Sequence, residues 1–286
     1  MGSSLPHGLR LGKIGYLNVL PIYHPLETGQ VSHPFTIVTG TPAYLNGLMA
    51  AGELDLSVVS SIEYARHPER YFVVPDLSIS CRGPVGSVML LSQRPFKTLA
   101  GETIHVTTQS HTSVALLKVL LSVFHDMDCT FEPARFGDLT ARGKPPLAYL
   151  AIGDEALRLR RSDIYPYRLD LGEAWHAHTG LPFVFALWVV QRRAVQQWNG
   201  RLDAAMESLA AARRWGLEHM AAIRREAENA GLLRGEELEE YYRGLNYNLD
   251  QDRLQGLELF FRHCVAAGEI EAPPRLEMVS PLDRVA

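Results

Sequence analysis

Residues 35–59, FTIVTGTPAYLNGLMAAGELDLSVV, decide the fold. Phe35-Thr36-Ile37-Val38 is a β-branched run of strand character. From Pro42 to Ala51 the apolar residues fall at helical spacing, with Pro42 suited to a first helical turn and Gly52 to the position just past the end. Leu54 to Val59 then reads as a second strand. The order β-α-β argues for a parallel sheet, because two parallel neighbours need a crossover helix. Upstream, Leu9 to Ile14 is a further strand ending at Gly15.

Working outward, the pattern recurs. Thr103 to Thr107 is a strand followed by Gln109-Ser110-His111-Thr112-Ser113 and an apolar helix from Val114 to Phe124. Ala148 to Ile152 is the next strand, and Leu181 to Val190 a long hydrophobic one. After Arg192 the character is helical throughout: Arg201 to Ala230, Glu236 to Gly244 and Asp250 to Ala267. Two apolar strands, Ser87 to Leu91 and Val184 to Val190, each end an α/β unit. If both cross between lobes, the chain builds lobe one, then lobe two, then returns. Expected boundaries are 1–91 with 188–286 for the first lobe and 92–187 for the second. The result is an α/β protein with a central ligand cleft, where strand ends and helix N-termini converge, and a helical C-terminal segment.

Composition narrows the function classes. The chain of 286 residues is 47% hydrophobic and 21% charged, as an ordinary globular protein is. Lys plus Arg number 28 against 32 Asp plus Glu, which disfavours a general nucleic-acid binder. The three cysteines are dispersed and form no CxxC pair, so a zinc knuckle is excluded and a reducing compartment expected. The first eight residues lack a basic and an apolar region, and no apolar run approaches the ~20 residues of a bilayer span. We therefore expect a cytoplasmic protein with neither nucleic acid nor membrane as partner. Oligomeric state is not readable from the sequence.

Hydroxyl-rich turns at strand-to-helix junctions are the most informative feature. Ser110 with Thr112-Ser113, Ser60-Ser61, and Thr39 with Thr41 all stand there. Free backbone N–H groups and side-chain hydroxyls at such points suit a carboxylate or phosphate. Plain helix capping is the competing reading for each. Asn18, after the first strand, can donate to and accept from a ligand at once, or be a turn residue. Asp154 follows a buried strand and either places a carboxylate in the cleft or caps a helix. His176 and His178 would share one side of a strand, a metal-binding spacing, with a solvated loop pair as the alternative. Walker, GxGxxG, GxSxG and HExxH motifs are absent.

Six blocks now occur in order: Gly15-Tyr16-Leu17-Asn18 with Pro21; Gly52-Glu53-Leu54-Asp55 with Ser60-Ser61-Ile62-Glu63-Tyr64; Gly83-Pro84-Val85 with Ser87-Val88; Ser110 with Thr112-Ser113-Val114; Ile152-Gly153-Asp154-Glu155-Ala156-Leu157; and Asp170 to Trp175 with Thr179 to Ala186. Together they resemble the chorismate dehydratases of the futalosine route to menaquinone, densely over residues 9–190 and loosely beyond. The resemblance implies the two-lobed fold of type 2 periplasmic binding proteins. It also implies a hydro-lyase reaction, chorismate to 3-[(1-carboxyvinyl)oxy]benzoate and water. Aromatisation drives that step, so neither cofactor nor metal is called for. By analogy Thr112 and Ser113, with Ser110 and their helix N-terminus, bind one carboxylate from the second lobe, and Ser60, Ser61 and Ser87 hold polar groups from the first. Asn18 would orient the reacting carbons. The base would be the substrate's own enolpyruvyl carboxylate, with Asp154 as the alternative; His111 carries no role. A non-catalytic small-carboxylate binder and the synthase making 1,4-dihydroxy-6-naphthoate are the rival readings.

Overall fold

A computed structural model describes residues 8–141, 143–198 and 201–279. Ten strands are β1 (Leu9–Ile14), β2 (Phe35–Gly40), β3 (Leu56–Ser60), β4 (Tyr71–Cys81), β5 (Val88–Ser92), β6 (Thr103–Thr107), β7 (Thr130–Ala134), β8 (Ala148–Ile152), β9 (Tyr167–Asp170) and β10 (Phe183–Gln191). The helices of the first part are α1 (Leu20–Glu27), α2 (Pro42–Ala51), α3 (Ser61–Arg66), α4 (His111–Lys118), α5 (Phe136–Thr140), α6 (Gly153–Leu159) and α7 (Leu171–Thr179). Those of the C-terminal part are α8 (Arg192–Gln197), α9 (Arg201–Glu218), α10 (Met220–Glu228), α11 (Gly235–Gly244) and α12 (Gln251–Ala266).

The opening β-α-β unit forms as its residues dictate. Thr41 caps α2 by accepting the Tyr44 N–H, Pro42 opens the helix, and Gly52 ends it in the left-handed region at φ 75°. β1 runs parallel to β2 and to β3. Asp55, fully buried, anchors the entry to β3 by accepting a two-pronged bond from Arg10 and the Arg10 backbone N–H.

Two sheets result, ordered β2-β1-β3-β10-β4 and β7-β6-β8-β5-β9. Each contains one strand delivered from the other lobe, and in each that strand is antiparallel to both neighbours: β10 to β3 and β4, β5 to β8 and β9. The boundaries expected at 91/92 and 187/188 pass through β5 and β10, yet each strand lies whole within one sheet. The chain crosses at 82–87 and again at 180–182. A run such as Val88 to Leu91, buried on both faces, carries no mark of which sheet it will join.

Other departures have local causes. The helix expected over 114–124 begins earlier, at His111, and widens into a π-type turn over Val119–Phe124. The helix expected over 201–230 breaks at His219, whose backbone is non-helical (φ −116°, ψ 37°). His176 and His178 lie on α7, not on a strand. Successive helical residues turn by about 100°, so the two point to different sides.

Asp170, at the junction of β9 and α7, ties the lobes' connection together. Its carboxylate accepts the N–H groups of Gly172 and Glu173, capping α7, and also those of Val85 and Gly86 in the first crossing. Replacing Asp170 by Ala strands four donors, those of Val85 and Gly172 in buried bonds, and is expected to lower stability by about 3 kcal/mol. Asp170→Asn, which keeps one carbonyl acceptor, should lose distinctly less. Urea unfolding midpoints measure both, and equal losses would contradict the hydrogen-bonding account.

Candidate active site

The two sheets face each other across a cleft of about 860 Å³, its solvent-facing mouth included, within the range of small-ligand sites. Its walls combine apolar groups (Ile14, Val58, Val59, Val88, Phe185) with hydroxyls and amides (Asn18, Asn46, Ser60, Ser87, Gln109, Ser110, Ser113). Among the described residues the lining includes no Asp, Glu, Lys or Arg, and His111 is its sole imidazole. No group of three or more His, Cys, Asp or Glu among them is placed to hold a metal ion. No helix among them is long and apolar enough to cross a membrane.

Asn18 sits in a single 3-10 turn, Leu17–Val19, directly after β1. Its side-chain Oδ1 is buried and has no hydrogen-bond partner. The backbone beneath it is held from the C-terminal part of the chain: Tyr242 donates to the Leu17 carbonyl and Tyr247 to the Asn18 carbonyl, both at 2.8 Å. The Asp154 carboxyl approaches the Leu17 N–H from the other lobe. The turn is therefore held by two tyrosines from the C-terminal part of the chain, and Asn18 lines the cleft.

Ser60 ends β3 and lines the cleft, and its Oγ is also buried without a partner. Ser87, 3% exposed, lines it from the first crossing, and its carbonyl accepts the Gly153 N–H at 2.7 Å. Ser110 caps α4 by accepting the Ser113 N–H and donates to the Ser113 Oγ at 3.0 Å. This leaves the first-turn amides of α4 at the cleft wall.

Three expected residues stand elsewhere. Ser61 and Thr112 are buried at the lobe junction and do not line the cleft. Thr112 Oγ1 accepts the Ile62 N–H at 3.0 Å and lies 3.3 Å from Ser61 Oγ, which donates to the Val184 carbonyl. These two hydroxyls join α3 of one lobe to α4 of the other. Asp154 lies behind the Leu17–Asn18 backbone, outside the lining, with its Oδ1 buried and unpartnered. Tyr16 and Gln109, which line the cleft mouth, were not singled out by residue type alone. Their signal was adjacency to Asn18 and Ser110.

Burial pushes the Asp154 carboxyl above the ordinary carboxylate range, outweighing the Leu17 N–H and the Arg158 charge that lower it. A raised folded-state value means that folding favours the protonated acid. That contribution is present below the unfolded value and is lost as pH rises through the folded one. Asp154→Asn removes the dependence. The variant's melting temperature, relative to the unsubstituted protein, is therefore expected to climb between acidic and mildly alkaline pH. A gap that stays constant with pH would contradict it.

Comparison with known proteins agrees with this architecture. A family model described as menaquinone biosynthesis matches residues 9–266. A chorismate dehydratase of Thermus thermophilus is 32% identical over 276 residues, covering 87% of this chain and 93% of that protein. Among solved structures, a protein of Archaeoglobus fulgidus superposes with a TM-score of 0.74 at 16% identity, over 93% of this chain and all of that one. The periplasmic aliphatic sulphonate binding protein of Escherichia coli gives 0.61 at 14% identity, over 95% of both chains. Those identities speak for the fold alone, a two-lobed arrangement of the periplasmic-binding-protein kind. The sequence matches go further: the chain belongs to the menaquinone biosynthesis family.

Proposed function

We propose that this protein is a hydro-lyase that converts chorismate to 3-[(1-carboxyvinyl)oxy]benzoate and water. The observation carrying the reading is the pair of buried, unpartnered acceptors, Asn18 Oδ1 and Ser60 Oγ, in the wall of a cleft. A buried polar atom without a partner is costly unless a ligand supplies one. The similar Thermus thermophilus protein carries the name chorismate dehydratase, and chorismate offers a ring hydroxyl as donor and two carboxylates as acceptors.

In this reading the first-turn amides of α4, with Ser110 and Ser113, hold one carboxylate through fixed dipoles. Ser60 and Ser87 hold polar groups from the first lobe. Asn18 orients the C4 hydroxyl as acceptor. The C3–H and C4–O bonds break, the C3 proton is relayed through its acceptor to the departing hydroxide, which leaves as water, and the ring becomes aromatic. No carboxylate side chain lines the cleft among the described residues, so the proton goes to the substrate's enolpyruvyl carboxylate. Asp154, set behind the Leu17–Asn18 turn, positions that turn instead of taking the proton. The protein's contribution is orientation and preorganised dipoles. The unpaired cysteines suit a cytoplasmic setting.

Purified protein incubated with chorismate, followed by chromatography with mass detection, is expected to yield a product one water lighter with aromatic absorbance. Asn18→Ala should reduce kcat about 10²- to 10³-fold, whereas Asp154→Asn should keep turnover within a few-fold. Chorismate that raises the melting temperature yet stays unchanged would favour a pure binder. Abolished turnover with intact binding in Asp154→Asn would overturn the substrate-as-base step.

A further inference from the structure

We infer that Tyr16 and Gln109 form a clasp that shuts the cleft mouth over bound ligand, with Tyr16 a positioning residue for the reaction proposed above, on which this inference rests. Tyr16 follows β1 in the first lobe, and Gln109 lies between β6 and α4 in the second. Both line the cleft, and the Tyr16 hydroxyl donates to Gln109 Oε1 at 2.7 Å.

This link differs in kind from the other bonds between lobes. Thr112 with Ile62 and Ser61 is buried and stands off the cleft lining. So does Glu269, which accepts Arg66 from α3 at 2.7 Å and Lys118 from α4 at 2.6 Å, its own side chain only 9% exposed. Those contacts keep the lobes joined. The Tyr16–Gln109 bond is solvent-exposed, and a single neutral hydrogen bond in contact with water breaks and remakes easily. Such a bond can open to admit a ligand while the buried joints hold.

The ring of Tyr16 has a seat prepared for it. It lies against Gly153, at the start of α6 in the second lobe, where a Cβ would come within 3.2 Å of the Tyr16 Cδ1. Gly153 also has φ +53°, a conformation that side chains disfavour, and its N–H holds the Ser87 carbonyl. Tyr16 therefore touches the second lobe twice, by its ring at Gly153 and by its hydroxyl at Gln109, two positions before Asn18.

A double-mutant cycle tests the clasp. Tyr16→Phe and Gln109→Leu are each expected to raise KM for chorismate about fivefold, with kcat within twofold and the melting temperature unchanged. The double variant should be no worse than either single one. Effects that multiply to about 25-fold, or no effect at all, overturn the clasp. Small-angle scattering of the ligand-free proteins supplies a readout independent of turnover: each variant is expected to show a larger radius of gyration than the unsubstituted chain, and unchanged values overturn the clasp. Should the unsubstituted protein fail to convert chorismate, the functional reading falls, and the scattering result alone judges the clasp.

Discussion

One buried carboxylate ties the first passage between the lobes to the helix that also serves the second. Asp170 is buried, caps α7, and in the same position accepts the N–H groups of Val85 and Gly86. A crossing segment has no ladder of its own to satisfy its amides, so a side chain must do it. The other end of α7 serves the second crossing: Trp175 Nε1 donates to the Pro182 carbonyl, and Leu181 donates to Thr179 Oγ1. Both passages between lobes are thus gathered on one nine-residue helix. Ser87 follows directly from the segment Asp170 holds, which couples the hinge to the cleft wall.

The C-terminal helices do more than cover the first lobe. Tyr242, on α11, and Tyr247, just beyond it, fix the backbone under Asn18. Arg161 of the second lobe pairs with Glu237 on α11, while Glu269, beyond α12, receives a cation from each lobe. The C-terminal segment is thus the one that braces the turn carrying Asn18.

Much of this was legible in the sequence because local signals and tertiary needs coincide. Thr41, Pro42 and Gly52 bound α2 as capping chemistry requires, and of the hydroxyls at strand-to-helix junctions Ser60, Ser110 and Ser113 line the cleft. What they did not reveal is direction. Ser60 and Ser113 face the cleft while their neighbours Ser61 and Thr112 face the lobe junction, because adjacent residues around a helix start turn by about 100°. Strand β4 was hidden by Pro75 and by Asp76, whose φ of 56° interrupts the alternation. The exposed edge β7, with Pro133, lacks a strand's apolar pattern. His178 meets His125, Nε2 to Nε2 at 3.3 Å, a partner 53 residues away that no local spacing announces.

That no Lys or Arg lines the cleft among the described residues has a bearing on how a catalytic cycle ends. In the proposed reaction substrate and product carry the same two carboxylates, so a field of amides and hydroxyls grips both alike and charge cannot tell them apart. What separates them is the hydroxyl that left. Once it is gone, the Asn18 side-chain carbonyl is again a buried acceptor with no donor. Release is then driven by a bond the chemistry itself has erased, so the cleft can discharge a ligand of unchanged charge.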